Sequence, residues 1–267
     1  MPKERLDLLV VKRGLAESRT QAQRLVMAGQ VRVNGQVVIK PATSLEQDVL
    51  LQVESGPRFV SRGGEKLEAA IQVFELEVAG KACADVGAST GGFTDCLLQH
   101  GAQRVYAIDV GQGILDWKLR QDARVVVMEK TNARFVEHLP EPVNIVTVDA
   151  SFISLKTLLP IIKGWFGEEE GVLICLVKPQ FEAGRQVVQR GKGVVRDPEI
   201  HHQVLVEVLG FAQHQDFDVL GLIRSPIIGP KGNTEFLAHL RFFVRKAVRQ
   251  DDKSKSEALL EMVDQLF

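Results

Sequence analysis

A chain of 267 residues can form one domain of ordinary size together with a small second module. Its formal net charge of −1 hides an asymmetry, because residues 1–66 carry 11 Lys or Arg against 7 Asp or Glu and the remainder is net acidic. A basic first module predicts a polyanionic partner. There is no secretory signal pattern and no apolar run of about 18 residues, so we expect a soluble, cytoplasmic protein that does not enter a membrane.

The three cysteines argue against two classes of site. Cys83, Cys96 and Cys175 lie far apart, each within an apolar segment. Neither a disulfide framework nor a C-x-x-C metal or redox site fits that spacing. The six histidines also show no ligand spacing, so we predict buried thiols in a reducing compartment and no bound metal.

The first module, residues 1–53, is predicted to be a small α+β unit. Glycines stop two apolar helices, a serine precedes the second helix as its N-cap, and an Asn-Gly pair forms the turn of a hairpin. The predicted helices cover residues 6–13 and 19–28, and the predicted strands cover residues 31–33, 37–39 and 49–53. A Gly-Pro pair then breaks both helix and strand, so residues 54–61 are predicted to be a linker.

The remaining residues, 62–267, predict an α/β fold built on a doubly wound sheet. Short apolar strands alternate with helical segments, which is typical of a parallel sheet covered on both faces. The predicted strands cover residues 83–86, 105–108, 125–128, 145–148, 172–177 and 219–223. Residues 235–243 follow a loop with little room for a crossover helix, so we expect this last strand to run antiparallel. An amphipathic helix is predicted for residues 256–267.

The most informative segment is the glycine-rich turn after the first strand of this sheet. It lacks the G-x-G-x-x-G spacing of dinucleotide sites, and no P-loop Lys-Ser/Thr follows it. What remains looks like the loop that meets the amino-acid end of S-adenosylmethionine, and a glycine turn without a ligand is the alternative. The candidate contacts are Asp85, Gly87, Ala88, Ser89, Gly91, Gly92 and Phe93. Asp109, which closes the second strand, is expected to bind both ribose hydroxyls of that cofactor.

Charged residues converge on the carboxyl edge of the predicted sheet, where open α/β sheets bind ligands. Asp149 follows the fourth strand and Lys178 follows the fifth. An antiparallel last strand brings its first residue, Glu235, to the same edge, and Lys66 can approach from the preceding helix. Two lysines and two acids beside a cofactor loop form a candidate reaction centre. Taken singly, a helix-capping Asp149 or a solvated Lys66 would need no function.

These motifs resemble those of the TlyA-type RNA methyltransferases, whose catalytic domain is similar to the FtsJ-type ribose 2′-O-methyltransferases. The family's Lys-Asp-Lys-Glu tetrad matches Lys66, Asp149, Lys178 and Glu235 in order and in local sequence. Longer matches include Gly-Ala-Ser-Thr-Gly-Gly-Phe-Thr and Lys-Thr-Asn-Ala-Arg. The first module is similar to the RNA-binding fold of ribosomal small-subunit protein four.

The resemblance implies a Rossmann-like class I methyltransferase that acts on ribosomal RNA. It would transfer a methyl group from S-adenosylmethionine to a ribose 2′-hydroxyl, with cytidine as the implied target. We expect Lys178, beside Lys66, to accept or orient the hydroxyl proton, while Asp149 and Glu235 balance charge. Asp149 is also a candidate cofactor contact. Asn132 matches the family's adenine-side position, although helix capping explains this residue nearly as well.

Basic residues of the first module and the linker are the candidate RNA contacts. Phosphate contacts provide affinity without reading sequence, and a solvated basic face is the alternative. The candidates are Arg5, Arg19, Arg24, Lys40, Arg58 and Arg62. Residues 184–196, rich in Gly and Arg, are predicted to be a mobile flap over the RNA or an ordinary surface loop.

Three other functions fit parts of the sequence. A membrane-active haemolysin, a label that this family has carried, would need an insertion element, but the C-terminal amphipathic segment is acidic and short. A small-molecule methyltransferase would have no use for a basic first module. A non-catalytic RNA-binding protein would not need the tetrad. The sequence leaves the target nucleotide and ribosomal subunit open, and we expect a monomer.

Overall fold

The computed structural model describes residues 3–54, 56–167, 170–243 and 252–267. The chain divides into two compact units, residues 1–58 and residues 59–267. Each unit has its own buried apolar cluster, as expected for separate domains.

The described part of the first unit consists of two helices and five short strands. These are β1 (Lys3–Arg5), α1 (Leu6–Lys12), α2 (Arg19–Met27), β2 (Val31–Val33), β3 (Gln36–Val37), β4 (Ser44–Glu46) and β5 (Leu51–Val53). The Ser18 side chain accepts a hydrogen bond from Gln21 N at 3.2 Å and so caps α2, as predicted. Asn34 and Gly35 both have positive φ, 49° and 82°, in the predicted turn between β2 and β3.

Two strands of the first unit were not predicted. β1 pairs with β4 in an antiparallel ribbon, separate from the β3-β2-β5 sheet. Both strands have three residues, too few to show an alternating pattern. Their pairing partners lie about 40 positions apart, Lys3 opposite Glu46, and only the fold brings them together.

The second unit has the predicted α/β architecture. Its strands are β6 (Ala82–Val86), β7 (Arg104–Ile108), β8 (Val125–Met128), β9 (Ile145–Val148), β10 (Glu170–Val177), β11 (Phe217–Arg224) and β12 (Phe236–Phe243). Its helices are α3 (Gly63–Val73), α4 (Gly92–Gln99), α5 (Trp117–Arg120), α6 (Leu155–Ile162), α7 (Pro179–Glu182), α8 (Arg185–Arg190), α9 (Pro198–His214) and α10 (Asp252–Asp264). Short 3₁₀ turns cover Ala133–Phe135, Lys163–Trp165 and Pro230–Gly232.

The strands of the second unit form one sheet in the order β11-β12-β10-β9-β6-β7-β8. Adjacent strands in the run β10-β9-β6-β7-β8 pair in parallel. The last strand, β12, runs antiparallel to both β10 and β11, and its antiparallel direction was predicted. Leu158 of α6 and Leu205 of α9 are buried in the cluster on one face. Leu67 of α3 and Leu97 of α4 are buried in the cluster on the other face. Helices therefore cover both faces, and the carboxyl edge of the parallel strands stays open for a site.

The segment of residues 184–196 differs from the predicted flap or surface loop. It contains α8, and it ends in the buried residues Val194 and Val195. Asn233, just before β12, accepts a hydrogen bond from Val195 N at 3.0 Å and donates one to Gly193 O at 3.1 Å. The apolar pair and this buried amide anchor the end of the segment, a role that a Gly-rich and Arg-rich composition does not reveal.

All three cysteines are buried, as predicted. Burial raises the pKa of the Cys83 and Cys175 thiols to about 12. In the described ranges, no group of His, Cys, Asp or Glu side chains is arranged to hold a metal ion. Nor does any helix within them have the length and apolarity needed to cross a membrane.

Candidate active site

The glycine loop between β6 and α4 is shaped by contacts that exclude side chains. Gly87 has φ +81°, and a Cβ built on it would lie 2.7 Å from Asp149 O. Gly91 has φ +98°, and a Cβ there would collide with Leu115 and Leu119. Both positions therefore require glycine, because L side chains are disfavoured at these φ values and the space is already filled.

Asp85, the last polar residue of β6, lies beneath this loop rather than at its surface. Its carboxylate is fully buried and accepts hydrogen bonds from the Thr94 hydroxyl at 2.7 Å and the Thr147 hydroxyl at 3.1 Å. Burial raises the pKa of Asp85 to about 7, against the lowering effect of the two threonine hydroxyls. Asp85 thus joins β6 to α4 and β9, and it lines neither of the two cavities described next.

A first cavity of about 430 Å³ lies at the carboxyl ends of β6, β7 and β9. We call it the loop cavity. Its walls combine apolar side chains with carboxylate and amide groups, as small-molecule sites usually do. Five predicted cofactor residues line it: Gly87, Ser89, Asp109, Asn132 and Asp149.

Two polar residues of the loop cavity are held by their own backbone contacts. Asp109 accepts hydrogen bonds from Ser89 N at 2.8 Å and Gly111 N at 2.7 Å, which fixes the carboxylate at the end of β7. Asn132 Oδ1 accepts from Arg134 N at 3.1 Å, so the capping role considered for Asn132 is present. Each carboxylate oxygen of Asp109 retains acceptor capacity towards the cavity, and Asn132 retains its amide donors for a ligand.

A second cavity of about 400 Å³ brings the four tetrad residues together. We call it the tetrad cavity. Lys66 Nζ lies 2.6 Å from Glu235 Oε2, and Lys178 Nζ lies 2.5 Å from Asp149 Oδ1. All four side chains are mostly or fully buried, Asp149 being the most exposed at 22%. Each lysine is therefore paired with an acid, which offsets the cost of burying its charge.

The two cavities adjoin one another. Gly87, Ser89, Asp149 and Ser151 line both of them. Ala88, Gly92 and Phe93, predicted as cofactor contacts, line the tetrad cavity, whereas Gly91 lines neither. A ligand in the loop cavity would thus end beside Asp149, next to the buried lysines.

This site combines a glycine loop, carboxylates that follow the strands and two buried lysines paired with acids. The chain that carries it can be compared with known proteins. Residues 59–242 match the model of the family described as FtsJ-like methyltransferase, and residues 4–49 match that of the S4 domain. The chain belongs to the FtsJ-like methyltransferase family. We refer below to residues 59–267 as the FtsJ-like domain and to residues 1–58 as the S4 unit.

Relatives of the whole chain carry RNA methyltransferase or hemolysin names. The chain is 49% identical over 247 residues to YqxC of Bacillus subtilis, named as a candidate rRNA methyltransferase, with 90% of this chain and 86% of YqxC covered. It is 46% identical over 241 residues to the 16S/23S rRNA (cytidine-2′-O)-methyltransferase TlyA of Mycobacterium tuberculosis, with 89% of each chain covered. A solved structure, of a candidate hemolysin from Streptococcus thermophilus, gives a TM-score of 0.71 at 46% identity, covering 99% and 96% of the two chains.

Several residues of the FtsJ-like domain that were not predicted also contact the tetrad. Ser151 Oγ lies 3.3 Å from Lys178 Nζ, and Gln180 Nε2 lies 3.5 Å from Glu235 Oε1. Gly229 lies against the Glu235 carboxylate, where an added Cβ would collide. Ser151 and Gln180 each stand two positions from a tetrad residue after a strand, which is the only signal that the sequence offered. Gly229 belongs to the loop before β12, from which only the direction of that strand was predicted.

Two of the predicted RNA contacts of the S4 unit bond to the same buried carboxylate. Asp7, fully buried, accepts hydrogen bonds from Arg5 at 2.9 Å and from Arg19 Nε at 3.1 Å. The bond from Arg5 is the main cause that holds the pKa of Asp7 well below its usual range. Arg5 and Arg19 still expose about half of their side chains, 42% and 53%. Asp7 therefore fixes their orientation without enclosing them.

The other predicted RNA contacts lie on the surface. Arg24, Lys40 and Arg58 of the S4 unit are exposed, and so is Arg62 of the FtsJ-like domain. Arg62 also lines the tetrad cavity. Exposure leaves these side chains able to approach phosphates, and their role stays a prediction.

Proposed function

We propose that this protein transfers a methyl group from S-adenosylmethionine to the 2′-hydroxyl of a cytidine ribose in ribosomal RNA. The observation that carries the proposal is the junction of the two cavities at Asp149. One cavity lies against a glycine loop of the FtsJ-like type, and the other holds Lys66, Lys178 and Glu235. The names of the relatives support the substrate class.

The residues of the loop cavity fit the proposed cofactor. Asp109 offers carboxylate oxygens to ribose hydroxyls, and Asn132 offers an amide beside the apolar surface of Ile108 and Ala133 for an adenine. Gly87 leaves no room for a side chain where the ligand would pass towards Asp149. When bound, S-adenosylmethionine supplies an electrophilic methyl group on a sulfonium.

The tetrad would prepare the hydroxyl for attack. In this proposal, Lys178 in its neutral form accepts the proton of the ribose 2′-hydroxyl, or in its charged form orients that hydroxyl, because an unassisted hydroxyl is a weak nucleophile. Asp149 and Ser151 hold Lys178 Nζ in place, at 2.5 Å and 3.3 Å. The Lys66–Glu235 pair supports the other wall of the cavity. Alignment of the reacting groups is the larger contribution, since positioning alone can supply about 7 to 11 kcal/mol.

The S4 unit would hold the RNA. Arg5, Arg19, Arg24 and Lys40 would contact phosphates, which gives salt-dependent affinity without sequence reading. Structured RNA is recognised largely through its shape and backbone. Because the proposed substrate is ribosomal RNA or a ribosomal subunit, we also propose that the protein acts in the cytoplasm.

The decisive experiment combines a substitution with mapping of the product. Wild-type protein is incubated with methyl-labelled S-adenosylmethionine and separated ribosomal subunits, and the modified nucleotide is located. Lys178→Ala is expected to reduce methyl transfer at least 100-fold, because the hydroxyl proton loses its acceptor, while cofactor and RNA still bind.

Lys156→Ala is the matched control. Lys156, in α6 of the FtsJ-like domain, is also paired with an acid, Glu207, at 3.2 Å. Unlike Lys178, it lines neither cavity. Near-normal turnover of Lys178→Ala would refute its assignment. Absence of transfer by wild-type protein, with RNA still bound, would favour the non-catalytic RNA-binding alternative. A membrane-active function would instead require vesicle lysis that is independent of the cofactor.

A further inference from the structure

An exposed apolar patch lies on the segment that joins β7 to α5. Val110, Ile114 and Trp117 expose 68%, 46% and 73% of their surfaces. Single exposed apolar side chains are ordinary on protein surfaces, but three within eight residues need an explanation, and the loop cavity that Val110 lines provides one for that residue alone. We call these three residues the rim patch. Within the described residues, no aromatic ring or cation covers the Trp117 indole.

The backbone beneath Trp117 is firmly held. Asp116 N donates to Thr90 O at 3.1 Å, and Asp116 Oδ1 accepts from Lys118 N at 2.8 Å. These bonds fix the first turn of α5 against the glycine loop. The exposed indole is therefore presented from a rigid support rather than from a loose loop, which lowers the entropy cost of binding with it.

Two apolar anchors reinforce this support. Leu115 and Leu119, on either side of Trp117, are buried at 5% and 1% exposure. Both pack against Gly91, where an added Cβ would collide with their side chains. The chain thus buries its neighbouring leucines and leaves the larger Trp117 in solvent, the reverse of what apolar burial alone would favour.

The rim patch is linked to both cavities, because Val110 lines the loop cavity and Asp116, next to Trp117, bonds to a residue of the tetrad cavity. Thr90, which accepts the bond from Asp116 N, lines that cavity together with Lys66 and Lys178. Lys118, next to Trp117, exposes 72% of its side chain, and its Nζ lies 3.8 Å from the carboxylate of the buried Asp95. The exposed Arg62 lines the same cavity.

We propose that Trp117 stacks on a base of the RNA strand immediately beside the acceptor nucleotide, with Lys118 contacting a phosphate of that strand. This inference rests on the proposed function and adds the contact that would hold the flanking nucleotide. An exposed aromatic ring beside a cation is the combination with which proteins bind single-stranded RNA. Stacking does not depend on the identity of the base, so Trp117 would position the strand rather than choose its sequence.

The two tryptophans of the chain allow a direct test. Trp165 is 2% exposed and donates its indole N–H to Val136 O at 2.8 Å, so an aqueous quencher reaches chiefly Trp117. Protein-free ribosomal RNA is titrated into the full-length wild-type protein while fluorescence and acrylamide quenching are recorded. We expect RNA to reduce the emission of Trp117 and to protect it from acrylamide.

Substitutions then measure the contribution of the ring. Trp117→Ala is expected to raise the Kd for protein-free ribosomal RNA at least fivefold, whereas Trp117→Phe retains most of the affinity because it keeps an aromatic face. Binding of S-adenosylmethionine should be unchanged in both variants. Leu220→Ala is the matched control, since Leu220 is 43% exposed on β11 and lines neither cavity.

Two results would overturn the stacking proposal, and a third would separate it from the proposed function. Wild-type protein that methylates subunits while Trp117→Ala binds RNA equally well would refute stacking and leave the proposed function intact. If Trp117→Ala weakens binding to intact ribosomal subunits but not to protein-free RNA, stacking would also be refuted, because the partner of Trp117 would then be a ribosomal protein. Wild-type protein that shows RNA-dependent protection of Trp117 without any methyl transfer would support stacking and refute the proposed function.

Discussion

Gly229 controls the position of Glu235 through a single steric contact. Its φ of −68° is available to any residue, yet a Cβ at this position would collide with the Glu235 carboxylate. Glu235 cannot move away freely, because it is 1% exposed and bound to Lys66 at 2.6 Å. Glycine is required here by space and not by backbone conformation.

Gly229→Ala is therefore expected to displace Glu235 and Lys66 and to lower kcat for methyl transfer by about 10- to 100-fold. Cofactor affinity should change little, since Gly229 does not line the loop cavity. Steady-state kinetics with ribosomal subunits and isothermal titration with cofactor would measure both quantities. Gly210→Ala is the control, because Gly210 lies in α9 with no atom within 4 Å of the added Cβ. Unchanged kcat in Gly229→Ala would contradict the steric argument.

The buried carboxyl of Asp85 is expected to make the stability of the fold depend on pH. Its pKa rises from an ordinary 3.8 to about 7 on folding, so the folded state binds more protons than the unfolded state between these values. Asp85 thus makes its whole contribution to the free energy of unfolding below about pH 4, and this contribution is lost as the pH rises to about 7. The loss is up to about 4 kcal/mol.

Asp85→Asn should remove this part of the pH dependence. The variant has no ionisable group at the position, and an amide can still bond to the hydroxyls of Thr94 and Thr147. Urea unfolding at pH 5 and pH 8 should show a smaller decrease in stability for Asp85→Asn than for wild-type protein. Equal decreases in the two proteins would mean that Asp85 keeps an ordinary pKa in the folded state.

At the scale of the elements, the C-terminal helix α10 illustrates burial without a catalytic role. Leu259 is 4% exposed and Val263 is fully buried, and α10 packs on α9 and β11. His202 Nε2 bonds to Asp264 at 2.8 Å near the end of the helix. These contacts lie outside both cavities, so α10 stabilises the FtsJ-like domain without touching the proposed site.

Leu259→Ala is expected to lower the free energy of unfolding by about 2 to 5 kcal/mol, because it leaves a cavity in a packed interface. The adjacent Leu260, 42% exposed, provides the control: Leu260→Ala should change stability by less than about 0.5 kcal/mol. Chemical denaturation measures both variants, and methyl transfer at low temperature should be normal in each. Equal effects of the two substitutions would contradict the packing described here.

The elements most readily predicted were those whose pattern is local. The strands at Val125–Met128 and Ile145–Val148 were predicted to the residue, because each is a short apolar run bounded by polar residues. The cap at Ser18 and the turn at Asn34-Gly35 were also confirmed. α8 was missed, since a sequence of glycines and arginines suggests a loop when its anchoring partner, Asn233, lies far along the chain.

At the scale of the whole molecule, the chain joins a basic module to a catalytic fold. Arg24 and Lys40 of the S4 unit, both proposed to bind phosphates, are exposed, whereas Arg5 and Arg19 are oriented by Asp7. Affinity that depends on phosphates falls with salt, in proportion to the number of contacts. The proposed division of labour therefore predicts steeply salt-dependent RNA binding.

Arg24→Ala combined with Lys40→Ala in the full-length chain is expected to weaken RNA binding and to reduce the slope of log Kd against log salt concentration by about 1 to 2. Filter binding of protein-free ribosomal RNA at several salt concentrations measures the slope. Lys156→Ala should leave it unchanged, because Lys156 lies in the FtsJ-like domain and is paired with Glu207. A slope that stays at the wild-type value in the double variant would mean that the S4 unit binds RNA with other residues.

The sequence by itself determined the fold class, the positions of most strands along the chain and the chemical types at the strand ends. Those features depend on local patterns: apolar runs, glycines that a tight loop requires, and charged residues directly after buried strands. Only the tertiary structure decided which lysine pairs with which acid and that Asp85 lies beneath the loop. Lys66 and Glu235 are 169 positions apart, and Lys178 and Asp149 are 29 apart. Contacts over such separations follow from how α3, β9, β10 and β12 pack at one edge of the sheet, which no local pattern records.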